Sequence, residues 1–172
     1  MKQYYKFLNL KNGKIVSEHV NHTWEIGKTY TVNGPVKVCS NGFHASVEPL
    51  DALGYIKGDV VAVVTGSGGS DNDENKVCYQ SMTIVRAYKW TPLDSVALAI
   101  YCAEQVIKIY EYEYPGDSRP RDAIKAAKAY LKEPNKKRAY AADAAAYAAY
   151  AELHQKINCK FKAMIKKCEV IE

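Results

Sequence analysis

Apolar and polar positions alternate through most of residues 1–90 and then recur at three- and four-residue spacing, so strands are expected first and helices after them. Residues 3–10 read as a strand, Asn12-Gly13 as a tight turn, and residues 14–20 as the returning antiparallel strand. Short strands are expected at residues 29–32 and 36–39. Pro49 at a first-turn position predicts a short helix over residues 48–56. DVVAVVTG (59–66) and KVCYQSMTIVRAY (76–88) are long strand-like runs, and the polar, glycine-rich GSGGSDNDEN between them reads as a flexible loop.

From Thr91 the pattern turns helical. Thr91, Pro92 and Asp94 supply an N-cap, a first-turn proline and a capping-box acid. Leu93, Val96, Ala97, Ile100, Tyr101, Ile107 and Tyr110 then follow at helical spacing until Pro115-Gly116. A second helix is predicted over 119–133, with Ile124, Ala127 and Leu131 on its buried face. A third is predicted from about Asn135 to about Cys168. Nine of the thirteen residues 139–151 are alanine, the best helix former, with Tyr140, Tyr147 and Tyr150 as isolated large groups. The expectation is an α+β fold. A small, mostly antiparallel sheet with one short helix (1–90) precedes a three-helix region (91–172) whose last helix is long and alanine-rich.

Composition narrows the function classes. The net charge of +5 is spread along the chain: ten Lys/Arg against eight Asp/Glu before residue 91, fourteen against eleven after it. A duplex-binding protein carries a denser basic patch, so a small anion or an acidic protein surface fits better. Five scattered cysteines form no CxxC pair, and the histidines have no metal-ligand spacing with them or with each other, so neither metal nor cofactor is assigned. No run approaches the roughly 20 apolar residues of a membrane span, and the start has no signal-peptide core. A reduced, cytoplasmic protein is expected.

Arg119 and Arg121 stand in the first turn of the predicted 119–133 helix, where the dipole and free N–H groups favour acids over cations. Asp117, Ser118 and Asp122 offset them locally. The sharper reading is an anion site, since the arginine fork suits phosphate or carboxylate and the helix start adds N–H donors. Lys125, Lys128 and Lys132 continue the basic stripe. The candidate ligand set is Arg119, Arg121, Lys125 and Asp117, joined by His44, Trp24 and Tyr101. His44, in Phe43-His44-Ala45, reads as a structural hydrogen bonder, and no catalytic residue is assigned.

Two resemblances follow from these motifs. CAEQVIKIYEYEYPGDSRPRDAIKAAKAYL with the alanine-rich stretch after it (roughly residues 93–155) resembles an immunity-protein family of bacterial toxin systems, most specifically in DSRPRDAIKAA. That resemblance implies a helical domain and a conflict-related setting, with Asp117, Arg119, Pro120, Arg121, Asp122 and Ile124 at the motif positions. YYKFLN, WEIGKTY, CSNGFHASVEPLDALGY and VVAVVTG resemble an uncharacterised domain of phage and bacterial proteins. The GFHA step is also loosely similar to part of the ADP-ribosyltransferase fold.

Three readings stand at this point. The leading one is a non-enzymatic protein that captures an anionic, nucleotide-derived ligand, sequestering a defence signal in a cleft between sheet and helices. The alternative is an immunity-type protein that blocks a toxin or defence protein by direct contact. The third is an enzyme of ADP-ribose or nucleotide chemistry. None calls for a nucleic-acid duplex or a membrane, and homo-oligomerisation is left open.

Overall fold

The computed structural model describes residues 2–134 and 154–171. It is an α+β structure. The strands are β1 (Tyr4–Lys11), β2 (Lys14–Val16), β3 (Thr23–Trp24), β4 (Thr29–Thr31), β5 (Phe43–Ala45), β6 (Val60–Asn72), β7 (Val77–Lys89) and β8 (Val170–Ile171). The helices are α1 (Pro49–Tyr55), α2 (Pro92–Glu113), α3 (Arg119–Lys132) and α4 (His154–Ile165). The chain divides into two compact units, residues 1–90 with 161–172, and residues 91–160.

All eight strands form one sheet in the order β3-β2-β1-β6-β7-β4, with every pairing antiparallel. The β6–β7 hairpin is its spine. The second edge of β7 is covered in turn by β5 at Val77–Tyr79, β4 at Ser81–Thr83 and β8 at Ala87–Tyr88, so short segments close an otherwise long open edge. Val60, Val61, Ala62 and Val64 are fully buried, which explains why β6 reads as a continuous apolar run rather than an alternating one. One face joins Tyr4, Leu8, Ile15, Trp24, Ala45, Met82 and Ile84 in a core. Phe7 instead meets Trp90 and Phe161, with ring centroids 6.2 Å from each, and Trp90 lies 4.8 Å from Phe161.

In the second unit, α2 begins with the expected capping box: the Asp94 N–H donates to Thr91 Oγ1 and the Thr91 N–H to Asp94 Oδ2. Ile100 and Ala103 of α2 pack on Ile124 and Ala127 of α3, flanked by Val96, Ile107 and Leu131. The five cysteines are free thiols. No described helix is long and apolar enough to cross a membrane.

Four expectations are corrected. The glycine-rich stretch is strand, not loop: β6 continues to Asn72, with a register irregularity between Ser67 and Ser70, and only residues 73–76 turn. Gly66 is there because a Cβ would fall 2.1 Å from the Tyr79 ring across the hairpin. Residues 36–39 form no strand, since the chain folds into a turn in which the Ser40 and Asn41 N–H groups reach the Lys37 carbonyl. The strand predicted over 14–20 stops at Val16, and Val20 is three-quarters exposed. The last helix ends at Ile165, not near Cys168, because the β-branched Val170 and Ile171 pair with Tyr88 and Ala87. The predicted helix start near Asn135 and the alanine-rich stretch with Tyr140, Tyr147 and Tyr150 lie outside the described residues.

Candidate functional site

Strand β1 places Tyr4, Lys6 and Leu8 on one face by its two-residue period. Tyr4 and Leu8 are core residues, so Lys6 is a lysine at an inward-facing position. Its Nζ donates to the His44 carbonyl at 2.8 Å and stands 6.0 Å from the Trp24 ring centroid. Among the described residues no carboxylate lies within ion-pair distance of it. Burial lowers its pKa to about 8.

Around Lys6 is a cleft of about 820 Å³, lined by β1, the segment 17–22, β4, the turn before β5, and α1. The imidazole of His22 meets Tyr30 at 4.5 Å, Trp24 at 4.7 Å and Phe43 at 5.6 Å between centroids. Its Nε2 is enclosed and has no hydrogen-bond partner among the described residues. Burial, then the nearby Lys6 charge, lowers its pKa.

His44 pairs with Cys78 across β5 and β7. Its Nε2 accepts the Cys39 backbone N–H at 2.9 Å, and a hydrogen bond with the Gly42 backbone engages the ring as well. Cys39 has a φ of 61°, a conformation held in place by that bond. Gly42, at φ 127°, is required beside it because a Cβ would lie 2.4 Å from Cys78 Sγ. Burial, then Lys6 and Lys76, holds the His44 pKa down. Lys76 Nζ lies 3.4 Å from Cys39 Sγ and 4.2 Å from the Tyr55 ring centroid. Two ammonium groups therefore act on one histidine. The cleft lining also carries Glu18, bonded to the Asn9 amide, and the exposed His19.

The arginines have partners from their own chain. Arg119 grips Asp117 through Nε and Nη2, at 2.8 and 2.6 Å, while Asp117 also accepts the Arg119 backbone N–H at 3.0 Å and the Tyr110 hydroxyl at 2.7 Å. Asp117, one residue before the geometric cap Ser118, thereby serves the free donors of the helix start. These bonds hold its carboxyl well below the usual carboxylate range. Arg121 forks onto Glu111 of α2 at 2.5 and 2.6 Å, and Lys128 pairs with Glu104 of α2. Lys125 is exposed, and the Arg119 side chain is 87% exposed despite its pairing.

Of the predicted ligand set, then, Asp117 and Arg119 come together, and Arg121, in the same first turn of α3, turns instead to Glu111 of α2. His44 and Trp24 meet around Lys6. Trp24 is itself core, its indole N–H donating to Ser17 Oγ at 2.9 Å. Tyr101 lies half-buried on α2 beneath the Lys160 ammonium. Sequence reasoning missed Lys6, His22 and Lys76. The legible signal was a lysine in the inward phase of YYKFLNL.

Residues 5–96 match the family model described as a domain of unknown function, DUF7666. The chain belongs to the DUF7666 family. The cleft and its lysines lie within the DUF7666 match, while α2 and α3 carry a second one. Residues 95–163 match the model described as "Imm-5 like putative immunity protein". No curated protein and no solved structure matches the chain.

Proposed function

We propose that this is a non-enzymatic protein of the immunity type, whose helical unit blocks a toxin or defence protein by direct contact. The similarity of residues 95–163 to immunity proteins supports this reading. The observation that carries it is the surface at the end of α2. Ile109, Tyr112 and Tyr114 are 58%, 85% and 58% exposed on the last turns of α2 and its C-cap, the stretch whose Glu111 holds Arg121 and that leads into Asp117, the partner of Arg119. Exposed tyrosine and arginine on a rigid scaffold are the residue types that dominate protein interfaces. Asp117 and Glu111 orient the two guanidinium groups at this surface.

Co-expression with a panel of bacterial toxin domains tests this. One toxin's growth inhibition should be relieved and the pair should co-purify. The double change Ile109→Ala with Tyr112→Ala should then weaken the complex at least about tenfold without altering the melting temperature. Relief of toxicity with no complex, or a complex indifferent to changes across 109–121, would defeat the proposal. A second reading, capture of a small anion, is favoured by the two lysines of the cleft that have no carboxylate partner.

A further inference from the structure

We infer that the DUF7666 unit binds a nucleoside-monophosphate type of ligand in the cleft above β1, its anionic group between Lys6 and Lys76 and its flat ring against Tyr30, His22 and Phe43. This does not rest on the immunity reading, which concerns the other unit.

Cation placement is the first support. Lys6 Nζ binds the carbonyl of His44, and Lys76 Nζ touches Cys39, whose N–H donates to the His44 ring. Both ammonium charges thus act on the same histidine, Lys6 through its carbonyl and Lys76 by way of Cys39. Neither has a carboxylate within ion-pair distance among the described residues. Glu18 is the carboxylate of the lining, and it is engaged by Asn9. An enclosed ammonium with a single neutral acceptor is costly, and a bound anion would offset that cost. The ordinary way to avoid the cost is a carboxylate from the chain itself, as Glu111 provides for Arg121.

The aromatic wall is the second. His22, Tyr30 and Phe43 line the cleft and are braced by the buried Trp24, at 5.3 Å from Tyr30 and 5.0 Å from Phe43. This gives rigid ring surface of the kind on which a base stacks. The His22 ring in that wall is fixed by its contacts with Tyr30, Trp24 and Phe43. Size is the third: about 820 Å³ falls within the 300–1,000 Å³ typical of small-molecule sites. A free phosphate would leave the aromatic wall uncovered, and a bare nucleoside would leave both lysines without a counter-charge.

The test is calorimetry on the full chain with adenosine 5′-monophosphate, adenosine and inorganic phosphate as separate probes. The monophosphate should bind more tightly than either fragment. Lys6→Met should weaken it by roughly ten- to a hundredfold, the loss of one charged hydrogen bond. Lys76→Met, at the open side of the cleft, supplies the same readout if the first variant does not fold. Tyr112→Ala should bind the monophosphate as the native chain does, so failure of this site and failure of the helical interface remain separable. Binding of phosphate alone as tight as that of the monophosphate, equal binding of adenosine, no binding of the monophosphate at millimolar concentration, or unchanged affinity in both lysine variants would each overturn the assignment.

Discussion

Replacing Lys6 by Met should stabilise the ligand-free protein at neutral pH. The ammonium is enclosed beside Trp24, His22 and Cys78, and burial brings its pKa from 10.5 to about 8. A lysine with a depressed folded-state pKa is held against its preference for water. At pH 7 both states are protonated, and the folded state bears a penalty of roughly 3 kcal/mol. Between about pH 8 and 10.5 the folded chain has released a proton that the unfolded chain still holds, so native stability rises with pH through this window. Methionine keeps much of the length and apolar stem but removes the hydrogen bond to the His44 carbonyl, at a cost of about 1 kcal/mol. The variant should therefore be more stable by roughly 2 kcal/mol at pH 7, an advantage that shrinks to about nothing by pH 10.

Urea unfolding of both proteins at half-unit steps from pH 6.5 to pH 10 measures this directly. Taking the difference between the two curves removes groups on which Lys6 does not act, such as the Tyr5 and Tyr79 hydroxyls, whose pKa values are raised; the Cys78 thiol is coupled to Lys6, so Cys78→Ser is placed in both backgrounds. A difference that is flat with pH, or a variant less stable at pH 7, would refute the picture of an enclosed ammonium without a counter-charge. The expected result also separates selection for stability from selection for binding. A lysine that destabilises the empty fold is the behaviour expected of a binding residue, where function is traded against stability.

Three other outcomes follow from the packing. Phe161→Ala removes the ring shared by Phe7 and Trp90 and should cost about 3–5 kcal/mol in urea unfolding. Thr91→Ala breaks the capping box of α2 and should cost about 1 kcal/mol, visible as a lower denaturation midpoint with an unchanged slope. A double-mutant cycle on Arg121 and Glu111 should give a small favourable coupling that disappears in molar salt, because both groups face solvent; a coupling unaffected by salt would mean the pair is shielded from it.

The elements that local chemistry dictates were legible from the sequence. The Thr91–Asp94 box, Pro49, Asn12-Gly13 and the stop at Pro115-Gly116 each act within a few residues, and each marks an observed boundary or turn. What depends on distant pairing was not. GSGGSDNDEN has loop composition, yet its backbone as far as Asn72 is held as strand, the last three residues by Tyr79, Cys78 and Val77 on the partner arm. Val170 and Ile171 pair with residues more than eighty positions earlier, which no local pattern reveals. The two candidate regions divide along the same line. Arg119 and Arg121 stood out because they broke a local rule, and the local acid Asp117 together with Glu111 one helix away answers them. Lys6 breaks a rule that is visible only once the strand's inward face is known. Its neighbour at 2.8 Å, the carbonyl of His44, is brought to it by the sheet. A polar residue out of phase in a strand is therefore the stronger functional signal here, because among the described residues no carboxylate answers it.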